Sequence, residues 1–275
     1  MGALRREIET TYAIVDPAPE QVAHRIYAIE NLQKIGLQGY RIAQAGHHDL
    51  SDVYFDLPRR ALQDRRLALR LRRDGTSVWV ALKGEPEASE WGGTRRLEIE
   101  AEWSPEALGE ILDALRARGV ACPSAHTPFE PERPQSSLES IGFSVVQERA
   151  TLRRINHVFR IGEKGDRLVV EWAVDRVTYR FGPVCFLHYE VEIESKDSTA
   201  MEAYQNIARA VWSEFSGFLR PWEHSKLATG HALEALVVIG ELADSGEFED
   251  VEAGPRNLTA ADYDRIHRHL ARDRW

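Results

Sequence analysis

Charged side chains of a single sign recur at alternate positions in several short segments of this chain. Glu7-Ile8-Glu9 places two carboxylates two residues apart, and Leu69-Arg70-Leu71-Arg72 does the same with two guanidinium groups. Because successive side chains of a β-strand point to opposite faces, each pair lies on one face and the apolar residues lie on the other. Carboxylates alternate with apolar residues in the same way at 97–102, 168–175 and 189–194. Further basic residues on the polar faces of predicted strands are Lys83, Arg149 and Arg153.

A sheet with one solvated face is the simplest interpretation of any single strand of this kind. Solvated faces usually mix positive and negative charges, however, and each of these strands carries one sign only. Side chains of like sign on one strand face lie about 7 Å apart and repel unless an opposite charge or a metal lies between them. The pattern therefore favours acidic and basic strands that line one cavity, with an apolar outside. Oxygen ligands favour Mg²⁺, Mn²⁺ or Ca²⁺ over zinc, and arginine donates two-pronged hydrogen bonds to phosphate. The expected ligand is a chain of phosphates bridged by divalent cations.

The elements that must position these charges are predicted to be mostly strands. Strands are predicted at 5–15, 53–56, 67–73, 78–83, 97–103, 143–154, 157–161, 167–175, 177–181 and 186–194. Asp74-Gly75 predicts a hairpin turn between two of them. Helices are predicted at 20–34, 104–118 and 201–215, and a proline-rich excursion loop at 121–137. From residue 231 a helical tail follows, broken by an acidic link at 244–254.

Composition excludes several classes of protein. The chain has 275 residues, with 35 Lys and Arg against 44 Asp and Glu, for a net charge of −9. An acidic surface argues against a duplex DNA binder that relies on bulk positive charge. The two cysteines rule out a disulfide framework and favour a reducing compartment. No apolar run is long enough for a membrane span. We therefore expect a cytoplasmic protein with neither a nucleic-acid nor a membrane partner.

Several motifs, taken in order, resemble the CYTH family, the triphosphate tunnel metalloenzymes. Glu7-Ile8-Glu9-Thr10-Thr11 is similar to the family's opening Glu-x-Glu-x-Lys, and 54–85 resembles its second signature. The segments RRLEIEAE and VVEWAVDRVTYRFGPVCFLHYEVEIES resemble its acidic strands, and PWEHSKLATG resembles its late Ser-Lys element. The resemblance implies an α+β fold: an eight-stranded antiparallel β-barrel tunnel with peripheral helices and a C-terminal helical extension. It also predicts a tunnel domain at 1–230 and an extension at 231–275.

The resemblance implies metal-dependent hydrolysis of a triphosphate inside the tunnel, most like the inorganic triphosphatase branch. The expected substrate is inorganic tripolyphosphate or a nucleoside or organic triphosphate, and the expected cofactor is Mg²⁺ or Mn²⁺. The implied catalytic residues are Glu7, Glu9 and Lys226. The implied substrate-binding residues are Arg70, Arg72, Lys83, Arg149, Arg153 and Lys226. The implied metal ligands are Glu7, Glu9, Glu98, Glu100, Asp175, Glu190 and Glu192.

Two positions depart from the family pattern, which keeps other functions open. Thr11 stands where the family has lysine, and Thr229 stands where a basic residue is common. One alternative is therefore a tunnel that binds nucleotide or polyphosphate without cleaving it. Another is an adenylyl cyclase of class IV type, and a third is a structural protein whose acidic face is solvated. The tail after residue 231 is expected to pack over the outside of the barrel or one tunnel mouth, or to form a homodimer contact.

Overall fold

The computed structural model describes residues 5–122, 129–242 and 254–273. In these ranges the strands are β1 (Arg5–Ile14), β2 (Tyr40–Asp56), β3 (Ala68–Asp74), β4 (Ser77–Lys83), β5 (Glu87–Ala88), β6 (Thr94–Glu102), β7 (Ser144–Arg160), β8 (Arg167–Phe181), β9 (Val184–Ser195), β10 (Leu219–Pro221) and β11 (Arg256–Asn257). The α-helices are α1 (Pro19–Tyr27), α2 (Pro105–Ala117), α3 (Pro134–Ser140), α4 (Met201–Phe215), α5 (Lys226–Val238) and α6 (Ala260–Asp273). Short 3₁₀ helices lie at Leu32–Ile35, Pro58–Arg60 and Gln63–Arg65.

Eight of the strands form a closed antiparallel ring. Their order is β1-β6-β4-β3-β2-β7-β8-β9, and β9 pairs with β1 to complete the circuit. The three remaining strands are short additions, since β5 pairs with β6, β10 with β1, and β11 with β9. Closure leaves no long unpaired edge on the eight principal strands. This architecture confirms the predicted α+β fold with eight antiparallel strands and peripheral helices.

The two faces of the ring differ in polarity because the side chains alternate along each strand. Asp52 of β2 lies opposite Arg72 of β3 on one side and Arg149 of β7 on the other, so all three share a face. Charged groups on this face also contact residues two strands away, such as Lys83 of β4 with Glu7 of β1. Contacts that bypass the intervening strand require a concave surface. The charged face is therefore the inner face of the ring.

The outer face carries apolar side chains that α1, α2 and α4 cover. Leu69, Leu71 and Val80 pack with the buried face of α2, whose first turn is capped by the Ser104 side chain accepting a hydrogen bond from the Ala107 amide. On the other side of the ring, Trp172 packs in a cluster with residues of α1 and α4. Burial of each large apolar side chain contributes about 1.5–3 kcal/mol. These contacts fix the curvature of the ring and hence the position of its inner residues.

Helices α5 and α6 fill one end of the ring. Val177 and Tyr179 occupy inner positions of β8, yet they are apolar and belong to one buried cluster with Leu233 of α5 and Ile266 of α6. The close approach of α5 depends on Gly230, since a Cβ at this position would lie 2.3 Å from the side chain of the inner residue Gln147. Of the two packing positions expected for the C-terminal tail on this chain, α5 and α6 thus take the mouth of the ring and not its outside.

Several predicted elements differ from the observed ones. The strand predicted at 53–56 is wrong in length, since β2 begins at Tyr40 and pairs with β7 along its whole course. Each of the two long strands β7 and β8 was predicted as two shorter pieces. The helix predicted at 20–34 is α1 followed by a separate 3₁₀ turn that the Asn31 side chain caps. Polar residues within a strand weaken the apolar alternation from which a strand is predicted. Hydrogen bonding to a neighbouring strand on each side nevertheless stabilises the strand in the fold.

The remaining differences concern the proline-rich segment and the tail. The loop predicted at 121–137 is wrong at its C-terminal end, where α3 begins at Pro134, and residues 123–128 lie outside the described residues. The predicted acidic link at 244–254 also lies almost entirely outside them. Helix α5 begins before residue 230 and continues past it. Within the described ranges, every helix is too short or too polar to span a lipid bilayer.

Candidate functional site

Three arginines surround one carboxylate on the inner face, and we call this group the arginine cluster (Asp52, Arg70, Arg72 and Arg149). Arg72 donates to both oxygens of Asp52, at 2.7 Å from Nε and 2.9 Å from Nη2. The Nη2 of Arg149 lies 3.1 Å from Asp52 Oδ2, and the Nε of Arg70 lies 3.9 Å from Oδ1. Burial alone would raise the pKa of Asp52, but the three guanidinium charges outweigh it and hold the pKa far below its usual range.

The arginine cluster contains more hydrogen-bond donors than its carboxylate can satisfy. Arg149 is 5% exposed, its guanidinium lies 4.5 Å from the centre of the Tyr54 ring, and it also donates to the Tyr54 hydroxyl. Its Nη1 has no hydrogen-bond partner among the described residues, although it is buried. A buried unpaired donor on a charged group is costly, and an anion with several oxygens would satisfy it. The cluster is therefore chemically suited to a phosphate group.

A second group, the β1–β6 cluster, combines three carboxylates with two cations (Glu7, Glu9, Lys83, Arg96 and Glu98). Arg96 lies between the carboxylates of β1, with its Nε 2.7 Å from Glu7 and its Nη2 2.7 Å from Glu9. The ammonium of Lys83 lies 3.3 Å from Glu7 and 2.8 Å from Glu98. Register explains the arrangement, because Glu7 is directly opposite Arg96, and Lys83 is directly opposite Glu98.

The two glutamates of β1 differ in their preferred protonation state. For Glu7, burial works toward a higher pKa, but the charges of Lys83 and Arg96 outweigh it and lower the pKa well below its usual range. For Glu9, burial dominates, and with the nearby charge of Glu7 it raises the pKa to about 8 despite the opposing charge of Arg96. Near neutral pH, Glu7 is therefore ionised and Glu9 retains its proton.

The third group, the carboxylate cluster, contains Asp175, Glu190 and Glu192 together with Arg153 and Lys226. The three acids offer ligand oxygens that all lie within 4.8 Å of one another. Arg153 donates to both oxygens of Asp175, at 2.9 and 2.6 Å, and also contacts Glu192. The Lys226 ammonium lies 3.0 Å from Asp175 and 2.5 Å from Glu192, and it contacts Glu190 as well.

Helix α5 holds Lys226 in this position. Its first residue is Lys226, preceded by Ser225, whose side chain accepts a hydrogen bond from the Ala228 amide. The Tyr179 hydroxyl donates to the Lys226 carbonyl at 2.8 Å, which ties the helix start to β8. Burial works to lower the pKa of Lys226, but the surrounding carboxylate charges raise it far above its usual value. The side chain is therefore a permanent cation.

The carboxylate cluster fits a divalent metal ion by the chemistry of its donors. Its ligand atoms are all carboxylate oxygens, which suit hard cations such as Mg²⁺, Mn²⁺ or Ca²⁺. The cations already present favour the charged form of two of the acids, since the charges of Lys226 and Arg153 outweigh burial and lower the pKa of Glu192 and of Asp175. The three carboxylates outnumber the two cations, so the donor set can accept a further positive charge from a metal ion.

The structure brings the predicted site residues onto one inner surface but divides them among separate groups. Glu7, Glu9 and Glu98 lie around Lys83 and Arg96 and do not belong to the set of three carboxylates within 4.8 Å, although the charge of Glu192 acts to raise the pKa of Glu7 and of Glu9. Glu100 is apart from both groups, because its carboxylate pairs with Arg70 at 2.8 Å. The grouping of Asp175 with Glu190 and Glu192 follows from direct pairing of β8 with β9.

The two departures from the family pattern have different surroundings. Thr11 lies on the inner face of β1, opposite Glu192 of β9. The neighbouring strand β6 supplies Arg96 on the same face, where it lies opposite Glu7, four residues from Thr11, and contacts Glu9 at 2.7 Å. Thr229 is fully buried in α5, where its hydroxyl accepts a hydrogen bond from the Trp222 indole at 3.1 Å. Thr229 therefore has a packing role in this structure.

Sequence reasoning missed three inner residues, of which two are buried and Arg96 is half-buried. Asp52 lies in a polar stretch for which no strand was predicted, so nothing in the sequence indicated that its side chain shares a strand face with Tyr54. Arg96 lies two residues before Glu98 in β6 and therefore on the same strand face, so the alternation of side chains already indicated an inner position. His188, fully buried, has the parity of Glu190 in β9, and its Nε2 lies 2.7 Å from the Glu190 carboxylate.

Comparison with known proteins identifies the family. The model of the CYTH domain matches residues 25–218, which is more than half of the chain. The chain belongs to the CYTH family. The match ends before α5 and α6, so both helices of this CYTH protein lie beyond the matched region. A search of curated proteins found no relative with significant similarity.

Solved structures share the fold at low sequence identity. A putative adenylyl cyclase from Hippeastrum, described as having a dominant triphosphatase activity, matches this CYTH protein with a TM-score of 0.50 and 20% identity, over 83% of this chain and 96% of that chain. A putative adenylate cyclase from Bacillus halodurans matches with a TM-score of 0.48 and 18% identity, over 82% of this chain and 97% of that chain. At such identity the first likeness supports the fold alone.

Proposed function

We propose that this CYTH protein binds a triphosphate-containing small molecule with a divalent metal ion inside the ring and hydrolyses a phosphoanhydride bond. Inorganic tripolyphosphate or a nucleoside or organic triphosphate is the expected substrate class. The observation that carries the proposal is the presence, on one inner surface, of an arginine cluster with a buried unpaired donor and a cluster of three carboxylates. The first has the chemistry of a phosphate site and the second that of a metal site.

The arginine cluster would bind the phosphate oxygens. Arg70, Arg72 and Arg149 present planar guanidinium groups that burial and mutual packing hold in place. Because Asp52 stays ionised among them, it fixes their orientation without neutralising all three. Bound in this way, a phosphate needs little further ordering of the protein, which is the condition for efficient electrostatic stabilisation.

Asp175, Glu190 and Glu192 would hold the metal ion, which we expect to be Mg²⁺ or Mn²⁺. When bound, such an ion neutralises charge on the phosphate oxygens as the anhydride breaks. Glu7, Glu9 and Glu98 lie on the neighbouring inner strands and are candidates for further metal contacts. Ionised Glu7 is the readier ligand, because Glu9 must lose a proton whose pKa is about 8.

Lys226 acts as a cation in this proposal, not as a base, because the carboxylates around it keep it protonated. Its ammonium, with Lys83 and Arg96 across the ring, stabilises negative charge on the substrate. Water forms a new bond to phosphorus and the bridging P–O bond breaks. The bridging electron pair stays on the leaving phosphate or pyrophosphate, and the proton of the water passes to the phosphate products.

Thr11 favours a second candidate function, binding without turnover. The family's lysine is replaced at this position, and loss of one charge-assisted contact costs about 1.5–3 kcal/mol. Arg96 supplies a cation on the same inner face, in contact with Glu7 and Glu9, which favours turnover over binding alone.

The experiment is phosphate release from tripolyphosphate, ATP and thiamine triphosphate, with Mg²⁺, Mn²⁺ or EDTA. We expect metal-dependent release with one preferred substrate, and at least about tenfold slower release for Glu192→Gln. Glu202→Gln, an exposed site on α4, is the matched control and should behave as the unmodified protein. No release, with tripolyphosphate still raising the melting temperature, would establish the binding-only function. Cyclic AMP formed from ATP would establish the cyclase instead, and no response to metal or phosphate would overturn both.

A further inference from the structure

Helix α6 reaches the inner surface of the ring from the C-terminal end of the chain, beyond the matched family region. Its Tyr263 is 1% exposed, and its ring centre lies 5.1 Å from that of Trp222 and 5.6 Å from that of His188. Tyr263 belongs to the same buried cluster as Leu258 and Ile266, and this packing fixes the position of its side chain. The Tyr263 hydroxyl is thus held by a rigid element next to the carboxylate cluster.

A continuous chain of hydrogen bonds joins Tyr263 to Glu190. The Tyr263 hydroxyl lies 2.7 Å from Nδ1 of His188, and Nε2 of the same ring lies 2.7 Å from Oε2 of Glu190. We assign the ring proton of His188 to Nε2, which donates a hydrogen bond to Glu190 Oε2, because the Lys226 ammonium contacts the other oxygen of the same carboxylate and both oxygens then act as acceptors. In the neutral ring, Nδ1 is then an acceptor, and the tyrosine hydroxyl donates to it.

The protonation of Tyr263 agrees with this direction of donation. Burial, reinforced by the nearby charge of Glu190, raises the pKa of Tyr263 well above 10. The hydroxyl therefore keeps its hydrogen at any pH at which the protein would be assayed. A phenylalanine at the same position would fill the same space but leave His188 Nδ1 without its donor.

The two oxygens of Glu190 consequently have different partners. His188 holds Oε2, while Oε1 contacts the Lys226 ammonium and faces the other acids of the carboxylate cluster. Glu190 is 1% exposed, so water does not replace either contact freely. Fixing one oxygen of a flexible glutamate removes the rotamer entropy that metal binding would otherwise have to remove.

We propose that Tyr263 is a positioning residue that orients the Glu190 carboxylate for metal binding through His188, so that the C-terminal segment completes the metal site. The proposal rests on the proposed function to the extent that the carboxylate cluster holds a divalent ion. Hydrogen-bond partners behind metal ligands typically change metal affinity or activity by about 10–100-fold when they are removed. An effect of this size distinguishes orientation from packing.

The test measures Mn²⁺ affinity of the full chain by titration calorimetry, without substrate. Tyr263→Phe keeps the ring and removes only the hydroxyl, and we expect about tenfold or greater loss of Mn²⁺ affinity. Tyr204→Phe is the matched control, since Tyr204 is fully buried and its hydroxyl hydrogen-bonds Thr10 at 2.6 Å outside the ring. Both variants should lose some thermal stability in EDTA, whereas only Tyr263→Phe should lose Mn²⁺ affinity.

His188 variants test the same chain if Tyr263→Phe does not fold. His188→Leu removes the donor to Glu190, and we expect about tenfold or greater loss of Mn²⁺ affinity. His188→Gln retains an N–H near the position of Nε2 and should recover part of that loss. Equal Mn²⁺ affinities for the Leu and Gln variants would overturn the proposal.

The outcomes separate this inference from the proposed function. Unchanged Mn²⁺ affinity in Tyr263→Phe, with metal-dependent phosphate release intact in the unmodified protein, would overturn the positioning role and leave the function standing. Failure of the unmodified protein to bind Mn²⁺ would overturn both.

Discussion

The arginine cluster and the carboxylate cluster each hold three like charges close together around a group of opposite charge, and the signs are reversed between them. In the first, three guanidinium groups face Asp52, and the side chain of this carboxylate is completely buried. In the second, three carboxylates face two cations, with Lys226 in contact with all three acids. In each group the charge of the less numerous sign lies between the others and offsets their mutual repulsion.

The two clusters differ in the sign of the charge that is left unbalanced, and this sign indicates the ligand of each. Buried ions are tolerated when opposite charges and hydrogen bonds satisfy them, and the excess charge that remains defines the ligand. The arginine cluster has an excess of donors, including Arg149 Nη1, and is suited to an anion. The carboxylate cluster has an excess of acceptors and is suited to a cation. A metal-bound triphosphate would supply both charges to one inner surface.

The largest effect should follow from removing the central cation of the carboxylate cluster. Lys226→Met leaves two buried carboxylates and the half-buried Glu192 with Arg153 as the remaining cation of the cluster, and we expect a loss of about 3–5 kcal/mol in the free energy of unfolding in EDTA. Mn²⁺ should restore part of this loss, since it takes over the role of the ammonium. Urea denaturation with EDTA and with Mn²⁺ measures both values. Exposed Lys34→Met is the control, and an equal loss in both conditions would contradict the explanation.

Two substitutions should show that the arginine cluster binds the phosphate and the carboxylate cluster binds the metal ion. Arg149→Met should weaken tripolyphosphate binding in EDTA by about ten- to a hundredfold, because it removes charge-assisted hydrogen bonds worth about 1.5–3 kcal/mol. Glu192→Gln should leave metal-free tripolyphosphate binding unchanged or tighter, and should weaken Mn²⁺ binding. Calorimetric titrations with each ligand alone measure both affinities. Parallel losses in the two variants would show that the clusters form one undivided site.

Arg96 tests whether the β1–β6 cluster compensates for Thr11. Arg96→Met should lower the rate of phosphate release by about tenfold, at the lower end of the cost of a charge-assisted contact, since Lys83 remains nearby. Thr11→Lys in the Arg96→Met background should restore part of the rate. Initial rates at saturating tripolyphosphate provide the measurement. If Arg96→Met leaves the rate unchanged, the cation at this position takes no part in turnover.

The last prediction concerns pH and distinguishes the two glutamates of β1. The pKa of Glu9 is raised to about 8 in the folded protein, above the usual value of 4.5 for a glutamate. Between these values the unfolded carboxyl ionises while the folded one stays protonated, so this group reduces stability as the pH rises, by up to about 1.4 kcal/mol per pH unit. In EDTA, the stability of Glu9→Gln relative to the unmodified protein should therefore increase from pH 5 to pH 8.

Glu7→Gln is the control for this pH series. The pKa of Glu7 is lowered by Lys83 and Arg96 against the effect of burial, so its stabilising contribution is fully present above the unfolded value and is lost only in acid. Its stability difference should change less from pH 6 to pH 8 than that of Glu9→Gln, because the only pH-dependent part in this range is the lower pKa of Glu9 once the Glu7 charge is gone. Urea denaturation across this range gives both differences, and parallel slopes for the two variants would refute the assignment.

Much of the inner surface was predictable from alternation. Arg70 and Arg72, Glu98 and Glu100, and Glu190 and Glu192 each share a strand face, and their strands were found to within a few residues. Asp52 was not predictable in the same way, because β2 is polar along most of its length and gains its stability from pairing with β3 and β7. Strand pairing is a non-local property that a local pattern does not contain.

The sequence by itself determined the alternation of charge and the sign carried by each strand, because side-chain direction follows from backbone geometry alone. Only the tertiary structure decided which charges meet. Closure of β9 on β1 and the ring register place Arg96 between Glu7 and Glu9, and they divide the predicted metal ligands into separate groups. The return of α6 brings Tyr263 to His188, 75 residues away in the chain. Such distant contacts depend on the packing of the whole fold, since no local spacing encodes them.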